Sequence, residues 1–281
     1  MSGAGPWGPR DGQPEIAAAG GSRPFGSSGR SGSLAPGSSV LAGPLGNVVS
    51  TLLLAAVLYW LWRDALLVAA ALVGVFVHEF GHVIAMNLLG CGPARIRIVP
   101  FFGGAAIPAR PPATAFRDVL ISLSGPVFGL LAAVPFVIAF QQTGETRWLR
   151  GAVVIGAINL MNLLPAPPLD GARALGPVLA RVHPALERAV MALIGVAAVL
   201  WLASRGDWFV ALFIGLGVFS AVRRGVSGRP PVPLTWPEWL LSILGWLCAL
   251  GLCAVTIGLA LEQLGVTISV DGLLRVLGLR Q

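Results

Sequence analysis

Seven apolar runs, each near the length that crosses a bilayer, follow one another between residues 45 and 261. Helices are expected at 45–62, 65–89, 116–140, 148–164, 184–203, 207–222 and 238–261. About 20 apolar residues in a helix span the hydrocarbon core, and a helix satisfies its own backbone polar groups where lipid cannot. A chain patterned in this way folds as helices packed side by side in a membrane. Composition agrees, with 56% hydrophobic and only 11% charged residues and a mean hydropathy of +0.82, where a water-soluble chain carries about 25% charged. Trp60, Trp62, Trp148, Trp201, Trp208, Trp236 and Trp239 fall at run ends, where interfacial aromatics anchor a span.

The formal charge of +7 is no nucleic-acid footprint, because the 19 basic residues, all arginine, are scattered between the apolar runs. They read instead as topology signals. With the N-terminus inside, inner segments hold 13 arginines and outer segments 6, the bias expected of a cytoplasmic N-terminus. Residues 1–44 are rich in Gly, Ser, Pro and Ala and cannot bury enough apolar surface to order themselves. With no apolar stretch close behind its arginines, this segment reads as a disordered tail and not a signal peptide. The chain then divides into a membrane-embedded core at 45–225 and a C-terminal part at 226–281, which holds the Pro-rich "SGRPPVPLTWPE", one further helix and a short tail. Cys91, Cys248 and Cys253 form no CxxC, and packing is the expected role of the two in the last helix.

Against this background "GVFVHEFGHVIAM", Gly74 to Met86, places two histidines and a glutamate inside an apolar helix. Each ionisable group near a bilayer centre costs about 2.5–3.5 kcal/mol on insertion scales. His78 and His82 are i and i+4, so a helix stacks them on one face. Two neutral imidazoles so placed can hold one Zn²⁺, while Glu79, one residue round, reaches a water on that metal. Zinc draws the water's pKa toward about 7, and the carboxylate can pass its proton to a leaving amine. HExxH also occurs by chance, and buried histidines are often only hydrogen-bonded, but this match falls on two of just three histidines and within a membrane helix. Zinc is the expected occupant.

A catalytic zinc normally takes three protein ligands and leaves one position open. The remaining histidine, His183, precedes Pro184 at the foot of a helix, which suits a capping residue better than a ligand. Asp170 is the best acidic candidate. It lies in "NLMNLLPAPPLDGARAL", Asn159 to Leu175, where Pro165, Pro167 and Pro168 end a helix and leave carbonyls without intrahelical donors. Irregular backbone at membrane depth persists only where protein buries it or water reaches it. Asp170 alone would read as an N-cap for a short helix from about Gly171. Beside a two-histidine site that lacks a third ligand, metal ligation is the expected role.

HEFGH in one helix and Asn-x-x-Pro-x-Pro-Pro-Leu-Asp-Gly two helices later resemble the site-2 protease family of intramembrane zinc metalloproteases, over roughly residues 45–225. The resemblance implies an all-α polytopic membrane protein, a six-helix protease core to which this chain adds one C-terminal helix. It implies one zinc per chain on His78, His82 and Asp170, with Glu79 as general base. Asn162 would help to hold the substrate backbone. The implied activity is hydrolysis of a peptide bond in or near a transmembrane segment of a membrane-protein substrate, in regulated proteolysis. The implied setting is the lipid bilayer of the plasma membrane, with the site nearer the cytosol.

"RIVPFFGGAAIPA", Arg97 to Ala109, is β-prone and broken by Gly103-Gly104. It reads either as a hairpin or re-entrant loop whose edge pairs with an unwound substrate, with Gly103 and Gly104 as substrate-binding residues, or as an ordinary interfacial loop. In "SGPVFGLLA", Ser124 to Ala132, which resembles the family's Gly-Pro helix, Gly129 stands where an asparagine is common. No loop is long enough for a soluble substrate-selecting domain. Two other classes were weighed. A secondary transporter would show paired helix breaks in two related halves, which the sequence lacks. An inactive protease-like scaffold would carry a damaged motif, and this one is intact.

Overall fold

The computed structural model describes residues 44–99, 103–206, 208–224 and 232–278. The expected N-terminal tail, apart from Pro44, and the first part of the Pro-rich linker lie outside the described residues.

Helices form over all seven apolar runs: α1 Pro44–Trp62, α2 Ala65–Leu88, α3 Ala115–Gly129 continuing into α4 Val134–Thr143, α5 Arg147–Asn162, α7 Pro184–Ser204, α8 Trp208–Arg224 and α9 Trp236–Gln263. Between α5 and α7 lies α6, Asp170–Val182, and a short α10, Val270–Val276, closes the described chain. The third run is not one straight helix. Pro126 sits inside α3 and a 3-10 turn at Leu130–Ala133 joins it to α4, as expected where a proline withdraws one N–H from the ladder. Among the described residues four helical stretches are long and apolar enough to cross a membrane: Ala65–Leu88, Ala115–Thr143, Pro184–Ser204 and Trp236–Gln263.

Local chemistry sets the helix ends. Asp64 accepts from the backbone N–H of Leu66 and Leu67 at 2.9 and 3.3 Å and starts α2. Thr114 accepts from Arg117 N–H at 3.2 Å and starts α3. Thr235 and Glu238 form a reciprocal capping box at the head of α9, which satisfies N–H groups the first turn cannot. His183 caps α7, its Nδ1 accepting from Ala185 N–H at 3.1 Å, so the third histidine has the capping role expected of it.

The buried centre is α5. Ala152, Val153 and Ile155 are fully buried, and α2, α4 and α9 pack around it. α2 also lies along α3, and α9 touches α3 and α6 as well as α5, so the C-terminal helix is seated directly on the core. Outward faces carry Leu52, Leu193, Leu200 and Leu216 in the open. So much contiguous apolar surface is unsustainable in water and natural in lipid. Trp60, Trp201, Trp208 and Trp236 are exposed near helix ends, as interfacial anchors are.

The residues after α2 form a two-stranded antiparallel hairpin, β1 Arg95–Val99 with β2 Gly103–Ile107, in register Arg95↔Ile107 through Val99↔Gly103. β1 lies against α1 and β2 against α2. The hairpin reading is therefore the one the backbone adopts.

Candidate metal centre

His78 and His82 are buried on the face of α2 that meets α3 and α5. Their Nε2 atoms stand 3.2 Å apart. Asp170, the first residue of α6, brings Oδ2 to 3.0 Å from His78 Nε2 and 3.2 Å from His82 Nε2. Asp170 is not the N-cap residue of α6, which is Leu169, and its carboxylate is turned to the histidines.

The other ring nitrogens show how this triangle could hold a cation. His82 Nδ1 lies 2.7 Å from the carbonyl oxygen of Ile121 on α3. A carbonyl can only accept, so Nδ1 carries the hydrogen. His78 Nδ1 lies 2.9 Å from Asn159 Oδ1. The amide orientation is set by its own nitrogen, which donates to Ile155 O at 2.8 Å, so here too Nδ1 donates. In neutral rings both Nε2 atoms then present lone pairs, to each other and to a carboxylate oxygen. Three acceptors packed at this distance repel unless a proton or a metal cation joins them. Tetrahedral zinc with ligands at about 2.0–2.2 Å holds neighbouring donors about 3.3–3.6 Å apart, slightly wider than the 3.0–3.2 Å found. Among the described residues His78, His82 and Asp170 form the one cluster of three or more such side chains whose ligand atoms converge, within 4.8 Å of one another.

Backbone fit makes room for the group. A Cβ built on Gly125 of α3 would meet Nε2 of both histidines, at 2.9 Å for His78. A side chain here would fill the space a metal needs. Glu79 lies between the triangle and the hairpin, within electrostatic reach of His78, His82 and Asp170 and against the backbone at Gly104 and Ala106. A Cβ on Gly104 would run into the Glu79 side chain, 2.8 Å from Cδ, so only glycine lets β2 lie this close. Glu79 also lines a cavity of about 270 Å³, together with Thr51 and Leu54 of α1, Leu72, Val73, Val75 and Phe76 of α2, and Ile96 and Gly104 of the hairpin.

Asn162 lies apart from this triangle among its hydrogen bonds: its Nδ2 donates to Ile158 O at 3.0 Å within its own helix. Gly103 is paired with Val99 at the hairpin's turn end. The polar residue that touches a histidine is Asn159, which sequence reasoning passed over although it is an amide in an apolar run. Asn159 also explains Gly129. A Cβ on Gly129 would meet the Asn159 amide, 2.8 Å from Cγ, so a larger residue there would displace the group that orients His78. α6 is tied to α3 as well, through an ion pair from Arg173 to Asp118.

A chain named "Putative zinc metalloprotease Rip3" in Mycobacterium tuberculosis, in strain ATCC 35801 / TMC 107 / Erdman and in strain ATCC 25618 / H37Rv, is 29% identical over 205 residues, covering 68% of this chain and 46% of the relative. The chain is thus similar to a "Putative zinc metalloprotease". It spans about half the length of the curated relatives it matches. No family model matches this chain, and no solved structure does.

Proposed function

We propose that this protein is a zinc-dependent intramembrane endopeptidase of the site-2 type, hydrolysing a peptide bond in or near a transmembrane segment of a membrane-protein substrate, in regulated proteolysis. The observation that carries this reading is the convergence of His78 Nε2, His82 Nε2 and Asp170 Oδ2 while both Nδ1 hydrogens point away from it. These three residues would hold one zinc per chain. Zinc held there supplies Lewis-acid chemistry, polarising a carbonyl and drawing a water's pKa toward about 7. Glu79 takes the proton of the attacking water and delivers it to the amide nitrogen. The acyl carbon gains the hydroxyl, the C–N bond breaks, and the nitrogen leaves as an amine. Asn159 and the Ile121 carbonyl hold the two imidazoles in the tautomer that leaves Nε2 open.

Substrate contacts follow from the hairpin. Gly103 and Gly104 begin β2, whose edge away from β1 would pair with an extended peptide, and Asn162 would offer its side-chain carbonyl to a substrate N–H. The cavity beside Glu79 has walls mostly of Leu, Ile, Val and Phe, which suits the apolar side chains of an unwound membrane segment. Residues 45–225 would form the protease core, in the plasma membrane with the N-terminus and the site toward the cytosol.

The test uses purified full-length protein and a transmembrane peptide in lipid vesicles. Cleavage that a zinc chelator abolishes and added zinc restores supports the reading. Wild-type protein that holds no zinc, or whose cleavage ignores the chelator, sets it aside.

A further inference from the structure

The carbonyl groups around the α5–α6 break can be followed one by one. Leu160 O accepts from Leu163 N–H, Met161 O from Leu164 N–H, Leu164 O from Ala166 N–H and Ala166 O from Leu169 N–H, at 2.8–3.1 Å. Leu163 O is different. The residue four positions on, which would supply its helical donor, is Pro167, which has no N–H. Its donor comes from 83 residues away, where Trp246 Nε1–H of α9 meets Leu163 O at 3.0 Å. The Leu163 side chain is fully buried, and an unmade hydrogen bond at a buried carbonyl is destabilising.

The same carbonyl is where the head of α6 rests. A Cβ on Gly171 would meet Leu163 C and O and Leu164 O, at 2.4 Å or closer, so the backbone beside Asp170 is butted against the group that Trp246 holds. Two turns earlier on α9, Trp239 Nε1–H donates to Val178 O at 3.0 Å, near the far end of α6. Trp239 and Trp246 are i and i+7 and share a helix face. One tryptophan reaches the start of the break and the other the helix that follows it.

We propose that Trp246 is a positioning residue for Asp170. Its indole N–H fixes the Leu163 carbonyl, that carbonyl seats Gly171, and Gly171 sets where the Asp170 carboxylate meets the two histidines. The C-terminal helix is thereby part of the support of the metal site. This rests on the metalloprotease reading for its consequence and on the Leu163 hydrogen bond for its cause.

The test compares Trp246→Phe, which keeps an aromatic ring and removes the N–H, with Trp239→Phe as control on the same helix face. Zinc affinity is read by chelator competition, the ligand field by the visible spectrum of the Co²⁺-substituted protein, and stability by thermal unfolding of the metal-free protein. Trp246→Phe should lower zinc affinity by about 10–100-fold, the range for groups that orient ligands. It should also alter the Co²⁺ bands, while its metal-free unfolding shifts no more than that of Trp239→Phe. Trp246→His removes more ring surface than Trp246→Phe but keeps a ring N–H, and should lose less zinc affinity. Losses that follow ring size, or an unchanged affinity in Trp246→Phe, would overturn the role given to Trp246 and leave the protease reading intact. Wild-type protein that takes up no zinc would overturn the protease reading itself.

Discussion

Asn159 Oδ1 stands 2.9 Å from His78 Nδ1, at the end of an amide whose nitrogen is committed to Ile155 O. Asn159 is fully buried, so no solvent replaces it. Asn159→Leu leaves a buried imidazole N–H unpaired, a loss of about 1–3 kcal/mol, and frees the ring to rotate. Zinc affinity should fall by about 10–100-fold in chelator competition, with the helical circular dichroism of the protein preserved. Wild-type affinity in this variant would show that the amide does not orient the ring.

The ligand set predicts a stoichiometry. Wild-type protein should carry one zinc by atomic emission. His78→Ala and His82→Ala should lose it, because two remaining ligands hold a metal poorly, and Asp170→Asn should weaken it by removing the anionic donor. Unchanged metal content in all three variants would remove the triangle from consideration.

Glu79→Gln separates chemistry from binding. It keeps volume and hydrogen-bonding reach but has no proton affinity to use. Positioned acid–base groups supply about 10²–10⁴-fold in rate, so cleavage should fall by at least that much while zinc content stays at the wild-type level. Near wild-type cleavage would remove Glu79 as base; loss of zinc with activity would make it a support of the metal.

Two glycines that approach α2 from α3 and from β2 should fail differently. Gly125→Val pushes a branched side chain toward both Nε2 atoms and should abolish zinc binding. Gly104→Val meets the Glu79 side chain instead, and should reduce cleavage while zinc is retained. The check is metal content and peptide cleavage measured on the same two preparations. Identical phenotypes would mean that the two surfaces are not separable.

Topology follows from the arginines. Reporter fusions after Arg63 and after Arg110 should report opposite membrane sides, the second one cytoplasmic. If both report the same side, the proposed orientation is wrong.

What the sequence determined by itself is what local chemistry decides. Apolar run length places the helices, and i, i+4 spacing puts His78 and His82 on one face. Proline ends α5 before Asp170, and Pro184 after His183 marks a cap. None of these depends on where another helix lies. Tertiary structure alone decided the rest. Asn159 and Asn162 are both amides on one helix, and only the rotation of α5 against α2 turns Asn159 to His78 and leaves Asn162 on Ile158. Gly125 and Gly104 became legible only when α3 and β2 came to rest against α2, since the need for an absent Cβ arises from the neighbour and not from the glycine. The sequence showed that Pro165, Pro167 and Pro168 would leave carbonyls without helical donors, and Leu163 O is one of them. That Trp246 would supply another, from 83 residues further on, required α9 to pack against the break, because a buried carbonyl takes whichever donor the fold brings within reach.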